Sequence, residues 1–186
     1  MIKVDFMSFI QGFYEDGSIV KDLNKTSIPL IPKCVKPESL KDFRPISLVG
    51  SMYKLLAKVL ANRLKKVLNI VIGEAQMAFV ESCQILDSFV IAEEIIQLWK
   101  RDSEGGLLIK LDFKKAYDIV DHNFLEAMMK DMGFRERWRK WMKYCITTLL
   151  LSDLVNRSPT YQFGMERGLR QGDPLSPFLL ILSQKD

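Results

Sequence analysis

The sequence predicts an α+β fold, and three observations carry that prediction. Hydrophobic residues recur at three-to-four spacing over several long stretches, most clearly 51–72. Short extended pieces bounded by proline and glycine fall between them, at 28–32, 107–113 and 149–164. Helices and strands follow no regular strand–helix–strand alternation, which separates this chain from a parallel α/β sheet. The 186 residues are 48% hydrophobic and 27% charged, enough apolar material for a packed core.

Taken in order, residues 1–20 read as a helix and a turn. Phe6, Phe9, Ile10 and Phe13 lie at helical spacing, and Asp16-Gly17 ends the pattern. Ile28-Pro29-Leu30-Ile31-Pro32 is extended, because proline disfavours helix in the residue before it. Residues 35–50 hold Pro37, Pro45 and Gly50 and read as loop with a short strand. In 51–72, Met52, Leu55, Leu56, Val59, Leu60, Leu64, Val67, Leu68 and Val71 form one apolar stripe. The other face carries Lys54, Lys58, Arg63, Lys65 and Lys66 and no acid. Such a face is either simply solvated or tracks a phosphate backbone. A second helix is expected over 87–100 with Asp87 as its N-cap. Gly105-Gly106 then breaks to a strand at 107–113, and helices fit 122–132 and 135–148, separated by Gly133. Trp138, Trp141, Met142 and Cys145 share one helical face, so the tryptophans are expected in the core. A hairpin is expected at 149–164, with its turn at 156–159, and the chain closes on a glycine-rich loop and an apolar helix.

Several functions are disfavoured by composition. Cys34, Cys83 and Cys145 form no CxxC pair and no disulfide framework, which fits a reducing compartment. With one histidine, His122, expected at the surface or at a helix start, a zinc site or a histidine-based triad is a poor fit. No run approaches the roughly 18–20 apolar residues of a membrane span, so no membrane partner is expected. The net charge of +4 permits an anionic partner.

Two segments carry chemistry. In the strand expected at 107–113, Leu107, Ile109, Leu111 and Phe113 share one face, and Leu108, Lys110 and Asp112 the other. A carboxylate ending an apolar strand is costly to bury unless paired or metal-bound, and Mg²⁺ suits such oxygen ligands. A strand running out into solvent at Asp112 accounts for this segment equally well. In Gly168-Leu169-Arg170-Gln171-Gly172-Asp173-Pro174-Leu175-Ser176-Pro177, Gly172 allows close backbone approach and Asp173 or Ser176 caps a helix. Alone, it also reads as an ordinary capped loop.

Together the two segments resemble motifs A and B of reverse transcriptases: Leu111-Asp112-Phe113-Lys114-Lys115-Ala116-Tyr117-Asp118, and Arg167 through Pro177. Leu30-Ile31-Pro32-Lys33 and Asp42-Phe43-Arg44-Pro45-Ile46-Ser47-Leu48 resemble the fingers motifs of non-long-terminal-repeat (LINE-type) retrotransposon enzymes, plant elements in particular. Gln76 to Val80, Gln84 to Asp87, Asp131 to Phe134 and Leu154-Val155-Asn156 continue the likeness, which runs from about residue 20 to 182.

The resemblance implies a right-hand polymerase architecture: fingers with an N-terminal helix over 1–104, and a partial palm over 105–186. It implies RNA-directed DNA polymerase (nucleotidyltransferase) chemistry with Mg²⁺, on an RNA template, a DNA primer and deoxynucleoside triphosphates. Asp112 would be the catalytic, metal-binding carboxylate of a two-metal centre. Tyr117 would exclude the ribose 2′-hydroxyl, Gln171 and Gly172 would contact the incoming nucleotide, and Lys33 and Arg44 would hold its triphosphate. Asp118 would be structural. The basic set Lys54, Lys58, Arg63, Lys65 and Lys66 would bind nucleic acid. The implied location is intracellular, in nucleus or cytoplasm; oligomeric state is not implied.

Three departures qualify the likeness. Ser82-Cys83 stands where the family has Gly-Arg. Asn156-Arg157 replaces a favoured Asn-Gly turn, and Asp153 interrupts its apolar strand, so a weakened hairpin is expected. The family's next element, a strand–turn–strand with two adjacent aspartates, has no match before Asp186. Three expectations follow: the chain is inactive alone, Phe178 to Leu182 is left exposed, and the alternatives are a non-catalytic nucleic-acid-binding remnant or a functionless retroelement relic.

Overall fold

The computed structural model describes residues 2–19, 23–72, 76, 85–102, 106–111, 113 and 115–184. Its secondary structure begins with α1 (Ile2–Asp16), which stops at Gly17 in a left-handed conformation (φ 69°). Strands β1 (Lys25–Ile28) and β2 (Leu30–Pro32), a 3₁₀ turn (Leu40–Asp42), β3 (Phe43–Pro45) and β4 (Leu48–Val49) follow. Then come α2 (Ser51–Val71), α3 (Ile85–Arg101), the short α4 (Ala116–Ile119), α5 (His122–Asp131) and α6 (Glu136–Thr147). Strands β5 (Leu150–Val155), β6 (Ser158–Pro159) and β7 (Phe163–Gly164) precede α7 (Ser176–Leu182). The fold is α+β, as the periodicities predict.

The main sheet joins distant parts of the chain. β1 pairs antiparallel with β4 and parallel with β5, with Thr26 opposite Leu151 and Ser27 opposite Ser152. β5 in turn pairs antiparallel with β6 and with β7. Strands from both sides of residue 104 therefore share one sheet. β2 and β3 form a separate antiparallel pair, Ile31 opposite Arg44.

The core is organised by α2. Tyr53, Leu56, Ala57, Leu60, Ala61, Leu64 and Leu68 are buried; Leu56, Leu60, Leu64 and Leu68 belong to the stripe read from the sequence, whereas Leu55 of that stripe is exposed. Around it pack Phe13 of α1, Leu125 and Met129 of α5, Trp141, Met142 and Cys145 of α6, and Leu179, Ile181 and Leu182 of α7. Both tryptophans lie in this cluster, with Trp138 and Trp141 edge to face at 6.0 Å between ring centroids. Asp121 caps α5, its carboxylate accepting from the backbone N–H groups of Asn123 and Phe124.

Three expectations are corrected. Residues 106–111 form no strand: a strand needs a ladder partner, none of the described strands pairs with them, and Leu107 (80% exposed) and Leu108 (64%) show that neither face is covered. Asp87 lies inside the first turn of α3 rather than at its N-cap. Phe178 to Leu182 is not exposed, because α7 packs onto the same core as α2 and α5, burying Leu179 and Leu182. His122 begins α5, one of its two expected placements, and its side chain is buried. The hairpin at 150–159 forms despite its turn residues, Asn156 (φ 51°) and Arg157 (φ 66°) both adopting the left-handed conformation that a two-residue hairpin turn needs. Among the described residues, no helix is long and apolar enough to cross a membrane.

Candidate nucleotide-binding site

The loop 168–175 is built by two glycines and two buried polar side chains. Gly168 (φ 90°) passes so close to α4 that a Cβ there would lie 3.0 Å from the carbonyl oxygens of both Tyr117 and Asp118. That approach allows the Gly168 N–H to donate to the Val120 carbonyl (2.7 Å) and the Leu169 N–H to the Tyr117 carbonyl (2.7 Å). From the other side, Nε2 of buried His122 lies 2.8 Å from the Gly168 carbonyl, positioned to donate to it. The segment carrying Tyr117 and the loop carrying Gln171 are thus stitched together through backbone groups.

Arg170 anchors the loop from beneath. Its side chain is buried, with Nη1 donating to Thr26 Oγ1 (2.9 Å) and Nη2 to Asn24 Oδ1 (2.7 Å), both on the β1 side. Asp173 Oδ2 lies 3.3 Å from Nη2, and the guanidinium sits 4.2 Å from the Tyr53 ring centroid. Asp173 Oδ1 also accepts from the Leu175 N–H (2.8 Å), setting the approach to α7, whose first turn contains Pro177. The packing here leaves a cavity of only about 10 Å³, bordered by Tyr53, Cys145, Leu169, Arg170 and Leu179. Burial, reinforced by the Asp173 carboxylate, pushes the Cys145 thiol up to about 12, so it stays protonated and inert. Burial likewise holds the Tyr53 phenol well above its usual range.

Above this base, three segments meet. The Gln171 carbonyl accepts from the Ser47 N–H (3.0 Å), and Gly172 (φ 97°) turns beside the Ser47 carbonyl, 3.4 Å from where a Cβ would stand. Gln171 Nε2 reaches Asp118 Oδ1 at 3.4 Å, a long hydrogen bond between the loop and α4. Tyr117 is half-buried, and burial raises its phenol above the ordinary value. The structure therefore brings Tyr117, Gln171 and Gly172 together with the 46–47 segment.

The remaining sequence candidates stand differently. Arg44 is exposed on β3, three residues before Ser47, with Ile46 held by its N–H to the Pro29 carbonyl (3.2 Å). Lys33 is exposed, but its ammonium donates to the Lys41 carbonyl at 2.7 Å, within the same fingers segment. Asp42 closes that segment: hydrogen bonds from the Ser39 and Glu38 backbone hold its carboxyl below the usual value. Lys54, Lys58, Arg63 and Lys66 are exposed on the face of α2 away from the core, and Lys65 is half-buried at its edge. Asp112 lies outside the described residues, as do Met77 to Gln84, including the Ser82-Cys83 departure.

Sequence reasoning missed His122, Asn24, Thr26 and the anchoring role of Arg170. The partners of Arg170 are 144 and 146 residues away along the chain, so no local spacing could reveal them. Gly168 carried a usable signal, as the first of two glycines four residues apart around a loop.

This α+β arrangement, with a strand pair and a glycine loop closing on an aromatic-bearing turn, is consistent with a fingers-and-palm fragment. The chain belongs to the reverse transcriptase (RNA-dependent DNA polymerase) family, whose pattern it matches over residues 31–184. Within that family its relatives are proteins of non-long-terminal-repeat retrotransposons. It is 28% identical over 190 residues to the Transposon TX1 uncharacterized 149 kDa protein of Xenopus laevis, covering 97% of this chain and 14% of that protein. It is 25% identical to the Pol polyprotein of the type-1 retrotransposable element R2 of Popillia japonica (92% of this chain, 24% of that protein). A third relative is the probable RNA-directed DNA polymerase from transposon BS of Drosophila melanogaster, 27% identical over 89% of this chain and 18% of that protein. The chain thus spans between about a seventh and a quarter of the length of these relatives.

Reverse transcriptases act on nucleic acid and nucleotides and are generally metal-dependent. The described residues do not by themselves fit such an ion: no three His, Cys, Asp or Glu side chains among them are grouped to hold one.

Proposed function

We propose that this chain forms the nucleotide-binding portion of an RNA-directed DNA polymerase, with the incoming deoxynucleoside triphosphate seated where the fingers segment meets the 168–173 loop. One observation carries the reading. The Ser47 N–H to Gln171 carbonyl bond (3.0 Å) and the Gln171 to Asp118 contact (3.4 Å) draw three family-like segments to one place.

In this reading the chain's own groups do the following. Gly172, exposed and without a side chain, lets the nucleotide approach the backbone. Gln171 offers an amide donor and acceptor beside it. The ring of Tyr117 fills the space that a ribose 2′-hydroxyl would need, and so selects deoxyribose. Arg44 and Lys33 supply positive charge to the triphosphate; Lys33 must release the Lys41 carbonyl to do so. Lys54, Lys58, Arg63, Lys65 and Lys66 follow the backbone of an RNA template and DNA primer. Asp112 would be this chain's ligand to a Mg²⁺ ion accompanying the triphosphate, and the ion would supply charge neutralisation there. Residues 1–104 then serve as fingers and 105–186 as part of a palm, working in the nucleus or cytoplasm.

Equilibrium binding of dATP and ATP in Mg²⁺ tests the reading. The chain is expected to bind dATP more tightly than ATP, and Y117A to narrow that preference at least fivefold. Equal affinities in the parent chain, or no binding at all, would overturn it.

A further inference from the structure

We propose that Arg170 is a positioning residue: it sets the Gln171–Gly172 turn against Ser47, so that the turn is already in place when a nucleotide arrives. This deepens the nucleotide-site reading above and rests on it. Gly168 (φ 90°) and Gly172 (φ 97°) bracket the segment 169–171, and glycine resists rotation less than any other residue. Left to itself, such a segment would pivot about its two ends. Arg170, at its centre, removes that freedom.

The geometry of the anchor is specific. Two nitrogens of one planar guanidinium reach two separate acceptors, Thr26 Oγ1 (2.9 Å) and Asn24 Oδ1 (2.7 Å), while Asp173 Oδ2 lies at 3.3 Å. The Asn24 amide cannot rotate away, because its Nδ2 donates to the Cys145 carbonyl (3.1 Å) and to Thr148 Oγ1 (3.0 Å) at the end of α6. The loop is therefore referenced at once to β1, to α6 and, through the Tyr53 ring, to α2. Arg170 itself is 4% exposed and touches no solvent-facing surface where a nucleotide would bind. Its effect on the site passes through its neighbour: with residue 170 pinned below, the Gln171 carbonyl is presented to the Ser47 N–H above.

A lysine keeps the charge but not the fork, since an ammonium on a flexible stem cannot meet both acceptors, Asn24 and Thr26, in a fixed plane. This separates positioning from charge. The experiment compares parent, R170K and T26V by amide hydrogen exchange and by dATP binding in Mg²⁺. T26V removes one acceptor with little change in shape and guards against a misfolded R170K. The expected result is at least tenfold faster exchange of the Ser47 amide in R170K and at least threefold in T26V, while the Leu60 and Leu64 amides of the core change less than twofold. The affinity for dATP should fall at least fivefold in R170K. Unchanged Ser47 exchange in both variants, or acceleration shared equally by the core amides, would overturn the proposal. If the parent chain binds no dATP, the nucleotide reading fails by itself, and the exchange comparison still decides whether Arg170 positions the turn.

Discussion

Two parts of this molecule, the loop of the motif-B-like segment and the run that leads into the motif-A-like segment, differ sharply in how they are held. The loop 168–173 rests on buried polar anchors: His122 on Gly168, and Arg170 on Asn24, Thr26 and Asp173. Residues 106–111 have no strand partner among the described residues, and Ile109 (66% exposed) and Leu111 (73%) stand in the open. Nearby, α3 exposes Leu86, Phe89, Val90, Ile91, Ile95 and Leu98. The difference teaches where order comes from in this chain. Apolar sequence does not bury itself; a partner surface decides. The loop has partners from β1, α2, α4 and α5, whereas among the described residues the apolar segment has no strand beside it.

The comparison can be broken most severely at Arg170. R170M leaves the Asp173 carboxylate buried without its cation, and the expected loss is about 3–5 kcal/mol in denaturant unfolding. L64A, at the centre of the α2 stripe, should cost about 2–5 kcal/mol by the same measurement, through lost burial and a residual cavity. G168A places a methyl group 3.0 Å from two carbonyl oxygens at a left-handed φ. Its expected cost is roughly 1–3 kcal/mol, with Tyr117 fluorescence or exchange reporting the separation of α4 from the loop.

The Asp121 cap gives a pH-dependent contrast. Hydrogen bonds from the Phe124 and Asn123 backbone, first that of Phe124, hold its carboxyl below the ordinary aspartate value. A carboxylate with a lowered folded pKa stabilises the fold above its unfolded pKa of about 3.9, and that contribution is lost as pH falls through the folded value. D121A should therefore be less stable than the parent at pH 6, with the gap closing progressively below pH 4 in thermal melts. The smallest effect is expected in the other region. I109K replaces a side chain that is already exposed, and unfolding free energy should change by no more than about 0.5 kcal/mol.

Much of this was legible from the chain, for identifiable reasons. The α2 stripe, the α5 and α6 boundaries at Gly133, and the core placement of Trp138 and Trp141 follow from periodicity, because a helix repeats its facing within a few residues. The turn, expected at 156–159, forms at 156–157 with Ser158-Pro159 already in β6, although Arg157 is an unfavourable residue for it. The site was legible only as motifs. Tyr117, Gln171 and Gly172 could be named from resemblance, but their meeting with Ser47 depends on contacts across more than a hundred residues. The strand expected at 107–113 failed because alternation specifies a face without supplying the neighbour that would cover it. The buried end of the chain, Leu179 to Leu182, was misjudged for the converse reason: its neighbours on α2 and α5 were already present.

The central claim is that the fingers segment and the anchored loop together form one nucleotide seat. The most direct measurement is an NMR titration of the chain with dATP in Mg²⁺, following backbone amides. The account predicts that the amides of Ser47, Gln171, Gly172 and Asp118 shift together with a single saturation curve, while those of α1 stay still. Shifts confined to α1 or to residues 106–111, with Ser47 and Gly172 unmoved, would contradict it.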